Sequence, residues 1–537
     1  MLKKTPVQLM ILAAMVLLGM AGMIYRLYSV ASQDQTALAG VRQGKYHLSV
    51  PVSTGTIYDR YLNPINNSEQ TVLAVVNPTP DTIASIFTKI KDRDEVSEQL
   101  QHISPFVCYL SENANETQNL RILYGTQSKP GALPAQHLIG YRQNGIAVSG
   151  LEKGYSGWLT ACDETADITF TVSGRGEVLA GAESQMAITG QKGGGVVTTL
   201  DLAIQSVTEE ALKKAAPAAG AAIVTDCNTG EILACASTPV YDPEHLEYAL
   251  NDPQSPFLNR ALSAYSVGSV FKLVTAAAAL ESGVSDQLMY RCDGYTTIYS
   301  QIFRCHKWNG HGLLNMQDAL VASCNPYFIS LSQILTAESL YRTASAFGFG
   351  RETELANGLI SDRGYLPGVE ELSVDAEKAN FSFGQGKLLA TPLQINAMTA
   401  CIANGGKYTQ PQLIKGITQD GISVKKFAQA SGKQAISEST AERLQEMMCA
   451  VINENADTNA KPRNTIAAGK TSTAQTGQYA EDGTELCHAW MTGFFPAYHP
   501  KYAVTVLIEN GGSGNKTAAP VFREIIEKTA EMLNSGE

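Results

Sequence analysis

The sequence predicts a mixed α+β protein whose main domain is built on an antiparallel sheet, placed behind one apolar N-terminal run. Three observations carry this reading. Strand-like text stands near both ends of the second half, at 221–236 and 489–508, with helical stretches between rather than a repeating strand-helix alternation. The chain has 537 residues, more than one compact core organises, so two or three domains are expected. Residues 7–25 contain only Gln8 as a clearly polar side chain.

Taken in order, that run is preceded by Lys3 and Lys4 and followed by Arg26. Its length suits a bilayer span better than the short core of a signal peptide, although Ser29-Val-Ala31 and Ala37-Leu-Ala39 offer small-residue cleavage sites. We read an uncleaved membrane anchor with the N-terminus inside and the rest outside the cytoplasm. A strand over 52–60 follows, then mixed text in which Gly150-Leu-Glu-Lys-Gly-Tyr-Ser-Gly-Trp158 reads as a packing motif. Gly190-Gln-Lys-Gly-Gly-Gly195 reads as a flexible joint. The expected division is 1–28 for tail and anchor, 29–195 for a first domain and 196–537 for a second.

In that second domain 196–200 is expected as a strand, Asp201 as the cap of a helix running to about Lys214, and Asn228-Thr-Gly230 as the turn of a hairpin. Helices are expected at 316–322 and 392–403. Strands at 489–495 and 502–508 should pair ahead of a final helix over 521–533. With 40 basic and 51 acidic residues the net charge is -11, which gives no basic footprint for nucleic acid.

The chemistry concentrates in three short motifs. Ser269 precedes Lys272 by three residues, after Gly268 and ahead of the alanine run 276–279 and a helix stop at Gly283. At a helix start, residues three apart share a face, and unpaired N–H groups favour charge developing on the serine oxygen. An amine held neutral by burial or a neighbouring cation then takes the serine proton, giving acyl transfer without histidine. The second motif is Ser323-Cys-Asn325 and the third Lys470-Thr-Ser-Thr-Ala-Gln475. The Gly469-Lys-Thr step is not a phosphate loop, because Asn464 stands where such a loop needs glycine. Among the ten cysteines, Cys292 and Cys305 form the closest local pair, with a disulfide and two free thiols both open. His306, His311 and Cys324 would complete a zinc grouping, but the spacing matches no standard pattern and no metal is assigned.

The three motifs, in this order, resemble the active site of penicillin-binding proteins and serine β-lactamases. Gly55-Thr-Ile-Tyr-Asp-Arg60, Gly150-Leu-Glu152, Thr199-Leu-Asp201, Asn259-Arg-Ala261, Phe383-Gly-Gln-Gly386, Thr391-Pro-Leu-Gln394 and His488-Ala-Trp490 look like class B members of that family. The resemblance implies a penicillin-binding transpeptidase fold, a sheet flanked by helices, carried on a membrane-anchored pedestal. It implies a cell-wall D,D-transpeptidase acting outside the cell, needing no cofactor and acylated by β-lactams. Carried over by position, Ser269 is the nucleophile and Lys272 its base. Ser323 relays a proton to the leaving D-alanine with Lys470, and Asn325 orients Lys272. Thr471, Ser472, Thr473 and Gln475 flank the substrate strand, and the backbone N–H groups of Ser269 and Thr473 form the oxyanion hole. The implied partners are peptidoglycan stem peptides, β-lactams, the cell membrane and a separate glycan polymerase, since no second catalytic domain is seen. Service in elongation and cell shape, division or sporulation stays open.

Three positions depart from the family pattern: Ser472 replaces the usual glycine, Val267 the usual proline, and Thr54 the usual arginine. A hydrolytic enzyme, either a D,D-carboxypeptidase or a β-lactamase, is the alternative. A third reading is a β-lactam sensor or assembly scaffold without turnover.

Overall fold

A computed structural model describes residues 5–31, 44–99, 102–173, 175–179 and 181–535. The tail lysines Lys3 and Lys4 and the cleavage-site alternative at Ala37–Ala39 lie outside the described residues. The apolar run forms a single helix, Thr5–Ala31, and Val16, Leu17, Leu18 and Ile24 on it are exposed. Among the described residues, no helix is long and apolar enough to cross a membrane, so the expected span is not met on that count.

The chain divides into two compact units, drawn differently from a cut at 195. Gly55–Ser68 and Ser128–Cys162 precede the glycine-rich joint but pack with Gly193–Glu537. The reason is a long-range pairing. Thr56–Tyr58 lies as a parallel strand beside Gly195–Thr198, with Ile57 opposite Val196. Gly55 sits so close to the Leu159 carbonyl that a Cβ would stand 2.3 Å from it, which is why glycine opens this strand. The 150–158 segment is packing, as expected: Glu152 holds Arg142 at 2.6 Å and Asn66 at 2.8 Å, and Trp158 donates to the Gly195 carbonyl.

The N-terminal unit contains two three-stranded antiparallel sheets. Lys45–Ser53 and Gln185–Thr189 flank Glu164–Thr171, while Phe106–Leu110 and Leu120–Gln127 flank Glu69–Val76. Glu164–Thr171 buries every second residue, the period of a sheet with one wet face.

The larger unit is built on a five-stranded antiparallel sheet. Its order is Ile232–Thr238, Gly220–Asp226, Tyr502–Ile508, Glu485–Phe495, Ala468–Tyr479. All seven residues of Tyr502–Ile508 are buried, because helices cover both faces. On one face lies Pro392–Ala403, a helix buried on every side and capped by Thr391, whose Oγ1 accepts from the Gln394 N–H. On the other, Leu202–Ala215 and Ala518–Ser535 pack Ile204, Leu212, Phe522 and Ile525 against Met491, Val504 and Val506. Each such side chain contributes roughly 1.5–3 kcal/mol by leaving water. Asp201 caps its helix as expected, accepting from Ala203 and Ile204. The last strand, Ala468–Tyr479, is left as an edge, and the three sequence motifs converge beside it.

Candidate active site

The chain enters the Ser269 turn with its backbone pinned. Trp490 Nε1 donates to the Ser266 carbonyl at 3.0 Å, Ser472 Oγ to the Val267 carbonyl at 2.9 Å, and the Gly268 N–H to the Gly384 carbonyl at 2.8 Å. Gly268 has φ +65, and a Cβ there would lie 2.4 Å from Ser472 Oγ, so only glycine fits. A short 3-10 turn, Gly268–Phe271, then feeds the helix Lys272–Glu281, whose alanines are buried in the core. Ser269 is half-buried at this helix start, and its hydroxyl makes no hydrogen bond among the described residues. Ser472, which stands where the family pattern has glycine, ties its strand to the Ser269 turn.

The Ser323 motif joins two helices, Met316–Val321 and Asn325–Ile334. Ser323 itself has φ +50, a left-handed conformation that L side chains disfavour by roughly 1–2 kcal/mol. It closes the first helix as glycine commonly does: the Ser323 N–H reaches the Leu320 carbonyl and the Cys324 N–H the Ala319 carbonyl. This turn presents Ser323 and Asn325 to Lys272.

Lys272 Nζ lies 2.7 Å from the Ser323 carbonyl, 2.7 Å from Asn325 Oδ1 and 3.2 Å from Ser323 Oγ. Lys470 Nζ approaches the same hydroxyl at 3.2 Å and also donates to the Thr471 carbonyl. One hydroxyl thus bridges two amines, each at most 1% exposed. The partners are hydroxyl, carbonyl and amide oxygens, none of them a carboxylate. Burial, and next the charge of Lys470, hold the Lys272 amine well below its usual range, while burial alone pulls Lys470 down to about 8. Both amines are therefore less basic than an exposed lysine, which suits them to exchanging protons with Ser323.

Other predicted positions are more peripheral. Thr471 is half-buried, Thr473 is exposed with Oγ1 accepting from the Gly514 N–H, and Gln475 donates to Glu485 across the hairpin. A cleft of about 400 Å³ is lined by Ser323, Lys470, Thr471, His306, His311 and Asn515. A larger cavity of about 860 Å³, lined by Tyr46, Val96, His102 and Phe106, lies in the N-terminal unit and holds none of the motif residues.

Cys292 and Cys305 are free thiols rather than a disulfide. They face His311 and Cys324, and the donor atoms of all four lie within 4.8 Å of one another. The four donors, which the sequence left without an assigned metal, come from separate loops and a helix start and form a group that could hold one. The sequence signal was the proximity of His311 and Cys324 to the Cys292–Cys305 loop.

The residues 220–527, more than half of the chain, match the model of the penicillin binding protein transpeptidase domain. The peptidoglycan D,D-transpeptidase PbpA of Mycolicibacterium smegmatis is 30% identical over 365 residues, covering 62% of this chain and 72% of that protein. Stage V sporulation protein D of Bacillus subtilis is 29% identical over 501 residues, covering 88% and 74%. Among solved structures, penicillin-binding protein A of M. tuberculosis as a ceftriaxone acyl-enzyme superposes with a TM-score of 0.63 at 25% identity, covering 78% of this chain and 95% of that one. A D,D-transpeptidase domain from Eggerthella lenta shares the fold, with a TM-score of 0.65 at 23% identity over 90% of this chain and 99% of its own. The chain therefore belongs to the penicillin-binding protein transpeptidase family, as a class B member.

Proposed function

We propose that this protein is a peptidoglycan D,D-transpeptidase working through a serine acyl-enzyme, and that β-lactams acylate the same serine. The observation that carries the reading is the Ser323 hydroxyl held 3.2 Å from each of two buried amines, beside the turn that bears Ser269. Ser269 Oγ attacks the carbonyl between the two terminal D-alanines of a donor stem peptide, and Lys272 takes its proton. The carbon–nitrogen bond breaks, and the departing D-alanine receives a proton that Ser323 relays from Lys272, helped by the Lys470 ammonium beside it. Asn325 orients Lys272. The charge of Lys470 and the hydroxyls of Thr471 and Thr473 hold the substrate carboxylate. The N–H groups of Ser269 and Thr473 stabilise the oxyanion; losing one such donor costs roughly 3 kcal/mol of barrier. An acceptor amine from a second stem peptide then displaces Ser269.

In this reading 5–31 anchors the chain in the cell membrane, the remainder lies outside the cytoplasm, and the N-terminal unit is the pedestal. The apolar run behind Lys3 and Lys4 supports it. A separate polymerase supplies glycan strands.

A labelled penicillin should attach covalently to wild type and not to Ser269→Ala; equal labelling of both rejects the assignment. Persistence of the adduct for hours distinguishes a transpeptidase from a hydrolase, which clears it in seconds. Cross-linked product formed with lipid-linked precursor and a glycan polymerase excludes a scaffold without turnover. Alkaline extraction that releases the full chain from membranes would reject the anchor.

A further inference from the structure

The segment from Tyr290 to Leu314 has little core of its own. Tyr295, Tyr299, Ile302, Trp308 and Leu313 are all exposed, and its strands are three or four residues long. Besides Phe303 and Leu314 it buries two thiols, which meet a third from the helix start at Cys324. Cys292, Cys305 and Cys324 are 1%, 6% and 0% exposed, and each is free. Cys292 Sγ lies 3.7 Å and Cys305 Sγ 3.5 Å from His311 Nδ1. A tetrahedral zinc with Zn–S of about 2.3 Å and Zn–N of about 2.0–2.1 Å requires donor separations of roughly 3.5–3.8 Å. The two sulfur-to-nitrogen distances fall in that range, and all four donor atoms lie within 4.8 Å of one another.

The backbone is shaped for the same convergence. Gly294 and Gly310 have φ +92 and +79, and a Cβ on them would strike the carbonyls of Trp308 at 2.0 Å and Cys292 at 2.2 Å. Two loops are therefore drawn together at a closeness that only glycine permits, and the Cys305 N–H seals the join on the Gly294 carbonyl.

We propose that Cys292, Cys305, His311 and Cys324 bind one structural Zn²⁺. Three thiolates and an imidazole form a closed donor set that suits zinc and leaves no open position for a substrate, so the ion's work is to hold structure. It staples a segment too small to hold itself. One ligand gives the site reach: Cys324 lies between Ser323 and Asn325, at the left-handed turn that faces Lys272. The ion thereby fixes Ser323 and Asn325, whose oxygens contact the amine, which makes Cys324 a positioning residue. This second step rests on the transpeptidase reading, whereas the metal site does not.

Full-length protein purified in mild detergent under reducing conditions, from cells supplied with zinc, should carry one zinc per chain by plasma mass spectrometry. Ser269→Ala should carry the same amount whatever its behaviour with penicillin, which scores the metal apart from the reaction. Cys305→Ser and His311→Ala should weaken zinc binding at least tenfold. Should these variants not fold, wild type reconstituted with Co²⁺ gives the second readout: thiolate-to-cobalt charge transfer and the visible bands of a tetrahedral ion. Zinc-free wild type with no such bands overturns the site, as does a Cys292–Cys305 disulfide in peptide mapping of zinc-free protein. Chelation should slow penicillin acylation of wild type about tenfold, with zinc restoring it; a rate indifferent to zinc overturns the link to Ser323.

Discussion

Ser323, Cys324 and Asn325 are neighbours in sequence, yet they serve two opposite environments. Ser323 and Asn325 face the amines of Lys272 and Lys470, while Cys324 joins a cluster of thiols and an imidazole. The amine corner places two like charges in a buried pocket without a carboxylate, so its reactivity comes from an unfavourable arrangement that lowers basicity. The thiol corner is built the other way, from soft donors at mutually compatible distances. Strain at Ser323, with φ +50, is the hinge between them. One corner stores chemistry and the other holds it in place.

The comparison breaks first at Lys272. Lys272→Ala should lower the rate of penicillin acylation roughly 10³-fold, within the range of a lost general base, while zinc content stays that of wild type. Stopped-flow labelling and metal analysis on one preparation measure both. A variant that loses zinc as well would mean the corners are one unit.

Next in size is the pH response. Lys470 is held at about 8, so acylation should fall as pH rises through that value and the charge that holds the substrate carboxylate disappears. Lys470→Arg keeps its charge and should move this fall to higher pH. Stability should run the opposite way. The unfolded lysine titrates near 10.5, so between about 8 and 10.5 the unfolded chain binds more protons and unfolding becomes harder as pH rises. Activity and Tm followed over the same buffers should therefore diverge; a parallel fall contradicts the assignment of the limb to Lys470.

A smaller effect is expected at Ser472. Ser472→Gly restores the residue usual in the family but removes the bond to the Val267 carbonyl, which is worth about 1 kcal/mol. Acylation should slow by about fivefold, corresponding to that energy, and a faster rate would show that the bond restrains rather than positions the turn. Smallest of all for the chemistry is Asp201→Ala. It should cost about 1 kcal/mol of stability through the lost helix cap and leave the acylation rate unchanged, which separates loss of fold from loss of site.

The sequence by itself determined the elements whose cause is local. Gly268 and the alanine run set the Ser269 turn and its helix, Asp201 set a cap, and Tyr502–Ile508 announced a strand beside Glu485–Phe495. The three motifs in their order also carried the family resemblance that implied the chemistry. Tertiary structure alone decided the rest. Thr56–Tyr58 left the N-terminal unit to pair with Gly195–Thr198, two amines far apart in sequence were buried against one hydroxyl, and four donors from separate segments met at one point. Propensity and periodicity report contacts a few residues apart. Burial and basicity, like the geometry of a metal site, are set by which distant segments close on one another.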